Sequence, residues 1–163
     1  MIAILGGLFG AAGAFIEELR SGAGLLAPVL AAPIIEEALK PSGTYLMLYR
    51  FPRFLLGQLH VALLTGLAGL TFGLLEAVVY VSVYVPQPPA WFVAYRFSLP
   101  LAMHAISSFI VGLGLNRGLV DWAEGRGNLP KRTRNLFLTG VGIHALFNLT
   151  AISLALAGPL DVD

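Results

Sequence analysis

The stretch APIIEEALKPSG (32–43) places two adjacent carboxylates, Glu36 and Glu37, and an ammonium, Lys40, inside a run that is otherwise fit for lipid. Glu36 and Lys40 are i,i+4 neighbours on one helix face and can pair there. Glu37 lies about 100° further round, so Lys40 is expected to hold one carboxylate while the other faces elsewhere. Whether this is a core or a connector depends on what surrounds it.

The surroundings are apolar. Of 163 residues, 57% are hydrophobic and only 12% are charged. A soluble domain carries roughly 25% charged residues. Mean hydropathy is +0.81, which fits an integral membrane protein. Net charge is +1, so no basic field for nucleic acid exists. The absence of Cys excludes disulfides, thiolate catalysis and Cys-based metal sites.

Five apolar segments can be drawn, at 2–16, 22–49, 54–85, 91–116 and 135–158. Since a span needs roughly 20 apolar residues, the first is short, and it is read as a retained span because it lacks the basic n-region of a secretory signal. The expected fold is an all-α, polytopic transmembrane bundle of about five spans, forming one domain over 1–163. VPQPP (85–89) separates the third and fourth segments, because consecutive prolines cannot continue a helix. RGLVDWAEGRGNLPKRTR (117–134) is the one long polar loop and reads as a solvated connector. The pairs Gly6/Gly10, Gly69/Gly73 and Gly114/Gly118 read as seams where backbones approach closely.

With five crossings, Arg50, Arg53, Arg117, Arg126, Lys131, Arg132 and Arg134 share one side, and Arg20 is the lone loop cation on the other. The positive-inside rule then makes the N-terminus and the loop at 117–134 cytoplasmic. Arg96 is expected to snorkel from the outer end of its helix.

Ionisable groups deep in a membrane are costly and rare, which makes them functional candidates. Here they are Glu36, Glu37, Lys40, Glu76, His104 and His144, with Asn148 beside them. Counted inward from the cytoplasmic ends, Glu36, His104 and His144 fall at roughly 14–20 Å, near mid-membrane. Glu76 counts to roughly 33 Å unless its helix tilts or starts beyond the membrane. His144 and Asn148 are i,i+4 and point the same way. One buried polar site built from several helices is the natural reading. Imidazoles and carboxylates can ligate zinc. A carboxylate can equally act as general base toward water, with His and Asn stabilising an oxyanion. His104 and Ser108 also share i,i+4 spacing, which leaves a Ser–His dyad as a lesser alternative.

In order, Glu36-Glu37-x-x-Lys40, Phe72-x-x-x-Glu76, His104 in a later helix and His144-x-x-x-Asn148 resemble the motifs of the PrsW family of intramembrane proteases. That family belongs with the CAAX-processing and bacteriocin-processing proteases, whose second motif usually ends in His where Glu76 stands here. The resemblance covers about 32–150. It implies peptide-bond hydrolysis in or beside the membrane, on membrane-bound substrates such as single-span proteins. A prokaryotic plasma membrane is expected separately, from the lack of a targeting extension. The resemblance implies Glu36 as the activating carboxylate, Glu37 in support and Lys40 orienting the pair. Glu76 and His104 would hold water or a metal, His144 and Asn148 would stabilise the oxyanion, and His144 is the further ligand if zinc takes part. Glu76, His104 and His144 are thus the implied metal set, and the resemblance leaves the use of zinc open.

Two other functions fit the same residues. A non-catalytic membrane scaffold of this fold would use the buried Glu and His groups to bind a partner helix. A proton relay or transporter would need a second gate, and no repeat supplies one.

Overall fold

The computed structural model describes residues 1–21 and 27–158. The start of the second expected segment, at 22–26, and residues 159–163 lie outside them, as do the side chains of Glu17, Glu18 and Arg20. Every element of secondary structure among the described residues is helical, and none is a strand. Helix α1 is Ile2–Ser21, α2 is Ala32–Leu39 and α3 is Ser42–Arg50. Then follow α4 (Gln58–Val79), α5 (Ala90–Arg96), α6 (Leu99–Gly112), α7 (Arg117–Ala123) and α8 (Lys131–Ala157).

Among the described residues, two helical stretches are long and apolar enough to cross a membrane, Gln58–Tyr84 and Lys131–Ala157. A third is added if Ala90–Gly112 is taken together with α7, from which it is bent by 79°. The count of about five spans is therefore not reached by length and composition. Within α1, Ile4–Gly13 is a shorter apolar helical stretch among the described residues. The second expected segment is cut at the opening motif, because Pro41 has no N–H for the helix and its ring crowds the preceding turn. A π-helical turn (Ala27–Ala31) leads into α2, Lys40 caps it, and α3 restarts at Ser42.

Helix α4 starts at Gln58, after Gly57, four residues later than the hydropathy suggests, and continues as a π-helical turn to Tyr84. The chain then breaks at VPQPP as expected, with Gln87 at φ +56°. The polar loop is not merely a connector. Its first seven residues form α7, begun by Asn116, whose side chain accepts from the Gly118 N–H. Val120 packs from α7 into a core with Leu48, Val61 and Leu115.

Hydrogen bonds gather the basic residues' helix ends. Arg117 Nη1 donates to the Leu48 carbonyl at 3.3 Å. Gln58 Nε2 donates to the carbonyls of Gly112 and Leu115, both at 2.9 Å, satisfying the open end of α6. Asn116 Nδ2 donates to Thr133 Oγ1 at 3.0 Å, tying in the start of α8.

Glycines set the spacing that brings the polar residues together. A Cβ at Gly69 would fall 2.6 Å from Ser108 Cβ, and one at Gly73 2.9 Å from His104 Cδ2. On the far side, a Cβ at Gly10 would come within 3.3 Å of Lys40 Cα. Helix α1 thus lies directly against the opening motif, and α4 against α6. Gly114 and Gly118 also mark close approaches, to Thr133 and Pro130, but they straddle the turn between α6 and α7.

Gly69→Ala should cost about 1–3 kcal/mol by overpacking. Gly142→Ala, with no neighbour within 4 Å, should be neutral or slightly stabilising. Thermal unfolding of the two variants in detergent, followed by circular dichroism, checks this ordering.

Candidate active site

Four helices supply the cluster. Glu36, Glu37 and Lys40 come from α2 and its C-cap, Glu76 from the last turn of α4, His104 from α6 and His144 from α8. All but Glu76 are buried, and the Glu76 side chain is 28% exposed.

Glu37 is the most heavily bonded. Its Oε1 accepts from Lys40 Nζ at 2.7 Å, Ser107 Oγ at 2.9 Å and His144 Nδ1 at 3.0 Å. Its Oε2 accepts from Ser108 Oγ at 3.1 Å. Lys40 does not choose between the two glutamates, as helical spacing had suggested. Its Nζ is 2.7 Å from Glu37 and 3.2 Å from Glu36 Oε2, and it lies 4.2 Å from the Phe72 ring centroid.

These partners fix both imidazoles. An ammonium only donates and a carboxylate only accepts. Lys40 Nζ is 2.8 Å from His104 Nδ1, so that nitrogen accepts and the ring proton sits on Nε2. Nε2 donates to Glu76 Oε2 at 2.7 Å. His144 gives its Nδ1 proton to Glu37, which leaves the Nε2 lone pair facing Glu36 Oε2 at 3.7 Å. The two rings meet edge to face with centroids 4.8 Å apart.

Glu36 is the exception. Its Oε2 is buried and has no hydrogen-bond partner among the described residues. It faces Lys40 Nζ at 3.2 Å, His144 Nε2 at 3.7 Å and His104 Nδ1 at 3.9 Å. A buried acceptor without a donor is costly and calls for an explanation.

Ligand atoms of Glu36, His104 and His144 all lie within 4.8 Å of one another. Two imidazoles and a carboxylate form a catalytic zinc donor set with a position left open. Glu37 accepts from His144 Nδ1, and a carboxylate so placed would orient that imidazole if its other nitrogen held a metal. The donor chemistry therefore fits a metal, with His104 Nδ1 available once Lys40 Nζ moves off it. Glu76, the third ligand the resemblance implied, is instead hydrogen-bonded to His104 and ion-paired to Arg96 at 3.2 Å.

Asn148 stands one turn beyond His144, and its Nδ2 donates to the Pro28 carbonyl at 2.8 Å. It braces the turn that leads into α2 and makes no hydrogen bond to the cluster. Ser108 pairs with Glu37 and not with His104, so no Ser–His dyad forms. Arg96 does not snorkel. It is 8% exposed and points inward to Glu76, with Cζ 3.6 Å from the Tyr80 ring centroid. Ser107 and Arg96 were missed as site residues. Ser107-Ser108 is a polar pair one turn past His104 in an apolar helix, and that register was the signal. An apolar groove of about 690 Å³, lined by Ala38, Pro41, Tyr45, Leu115, Trp122 and Phe137, reaches Glu37.

The chain belongs to the PrsW family: the model for "PrsW family intramembrane metalloprotease" matches residues 1–161. No curated protein and no solved structure matches it. The chain is thus an integral membrane protein of a protease family, and its apolar helices agree with that.

Glu37 and Glu36 differ in what they hold. Glu37→Gln strands Lys40 and three other donors, and should cost about 3–5 kcal/mol, the range for breaking a buried pair. Glu36→Gln removes an oxygen that no hydrogen bond satisfies and should cost far less. Comparing the unfolding temperatures of the two variants decides between this division and an equal structural role.

Proposed function

We propose that the chain is an intramembrane endopeptidase in which Glu36 takes the proton of the attacking water. The observation that carries this is the buried, unpartnered Glu36 Oε2 beside two imidazoles of fixed orientation. A pure scaffold would bury carboxylates only where they are satisfied, as Glu37 is, and has no use for an orphaned oxygen.

The residues divide the reaction. Water held between Glu36 and the imidazoles gives its proton to Glu36 as its oxygen adds to the peptide carbonyl carbon. Glu36 then returns the proton to the leaving nitrogen as the C–N bond breaks. Glu37 and Lys40 hold the α2 end rigidly against α6 and α8, so the base does not have to be oriented anew in each turnover. Glu76 keeps the His104 proton on Nε2. Asn148 is a positioning residue, acting through the turn at Ala27–Ala31. The zinc that the family's name implies would be held by Glu36, His104 and His144, with one Glu36 oxygen left for the water proton. A bound zinc supplies acidity to water and polarises the carbonyl.

The substrate in this reading is a membrane-bound peptide or single-span protein, and an apolar groove that reaches Glu37 suits an apolar segment. Five membrane-inserted segments are proposed for this single domain: α1, the broken α2–α3 unit, α4, α5–α6 and α8. In this reading the loop at 117–134 and the N-terminus are on the cytoplasmic side of a prokaryotic plasma membrane, which the clustering of basic helix ends supports through the positive-inside rule.

Glu36→Gln should lower cleavage of a genuine substrate by about 10²–10⁴-fold, the range for removing a general base. The variant's unfolding temperature should stay near that of the wild type. Wild-type cleavage rates in a folded Glu36→Gln protein would refute the assignment.

A further inference from the structure

Arg96 is the last residue of α5, 8% exposed, and its Nε and Nη2 have no hydrogen-bond partner among the described residues. Those two nitrogens share one edge of the guanidinium. That edge presents two parallel N–H groups, the arrangement that matches the two oxygens of a carboxylate. The Tyr80 ring, 3.6 Å from Cζ, fixes the guanidinium plane. Glu76 Oε2 lies 3.2 Å from Nη2 and balances its charge, yet it does not satisfy either donor.

The edge is also well placed. Glu76 Oε2 links it to His104 Nε2, so Arg96 is one side chain removed from the imidazoles. Glu76 is 28% exposed, whereas Glu36 is 8% and Lys40 and Glu37 are 0%. The cluster is therefore most open on the Arg96 side. Hydrolysis of a peptide bond turns a neutral amide into a carboxylate, and a carboxylate formed in a desolvated site needs donors. Lys40 is already engaged by Glu37 and His104.

Resting on the protease reading above, we propose that the Nε–Nη2 edge of Arg96 binds the new C-terminal carboxylate of the cleaved peptide. Arg96 is thus a product-binding residue, and the adjacent Glu76 carboxylate keeps that complex weak enough to release.

The test reads binding alone, on full-length protein labelled with ¹⁵N-arginine in lipid nanodiscs. The Arg96 Nε–H signal is identified by its loss in Arg96→Lys, or through its backbone if that variant does not fold. The protein is titrated with N-acetyl-leucine, with N-acetyl-leucinamide and with the α-amide of N-acetyl-aspartic acid. The expected result is a saturable shift with the first compound, none with the second, and at least about tenfold weaker binding of the third, equal to about 1.4 kcal/mol. Arg96→Lys, which keeps the charge and loses the fork, should weaken N-acetyl-leucine binding about tenfold as well, read for both proteins by equilibrium dialysis of the radiolabelled compound. No shift with N-acetyl-leucine, or equal shifts with the acid and its amide, would overturn the proposal. Equal binding of the aspartate compound would reassign the edge to acidic substrate side chains and overturn the product assignment. The titration can fail while Glu36→Gln still abolishes cleavage, so the two readings fall separately.

Discussion

Glu37 is the point on which three helices meet. Its carboxylate accepts from Lys40 at the end of α2, from Ser107 and Ser108 on α6, and from His144 on α8. A buried carboxylate is expensive on its own. Four donors arriving from three directions offset that cost only when all three helices are in register. The same bonds therefore stabilise the carboxylate and specify the packing.

Everything distinctive about the site follows from that saturation. Because Lys40 donates to Glu37 and His104, the neighbouring Glu36 is left with an oxygen that Lys40 faces as an ion-pair partner at 3.2 Å but that accepts no hydrogen bond among the described residues. Because His144 gives its Nδ1 proton to Glu37, its other nitrogen is aimed at Glu36. Because Lys40 donates to His104 Nδ1, the His104 proton is carried on the side of Glu76. Two adjacent glutamates, alike in sequence, thus differ in setting: Glu37 is a saturated strut, and Glu36 is the group to which the proposed function gives the reaction. The small residues of α1, α4 and α6 make this possible by letting backbones close to distances that any Cβ would prevent.

Much of this was legible in the residues. Composition settles the membrane class, and ionisable groups in apolar runs pick out Glu36, Glu37, Lys40, Glu76, His104 and His144. The seams at Gly6/Gly10 and Gly69/Gly73 were equally plain. Hydropathy could not see the helix breaks. Pro41 and the run at Phe97–Ser98 divide apolar stretches without changing their average, so helix length and composition among the described residues do not reach the five spans that hydropathy suggests. Depth counting put Glu76 too far from His104; beginning the helix at Gln58 instead of Phe54 removes only about 6 Å of that excess, so counting from helix ends does not recover the contact. The inward turn of Arg96 was hidden for a similar reason. A cation near the end of an apolar segment reads as interfacial until the α5–α6 break carries it back beneath Glu76.

The central claim is that Glu36, His104 and His144 form a donor set for a metal and a water molecule, completed when Lys40 Nζ moves off His104 Nδ1. Zinc stoichiometry, measured by elemental analysis of protein purified without chelator and offered zinc, tests this most directly. The account predicts about one zinc per chain in the wild type, none in folded His144→Ala, and about one in Asn148→Ala, which lies outside the donor set. Metal-free wild-type protein, or zinc retained in full by His144→Ala, would contradict it.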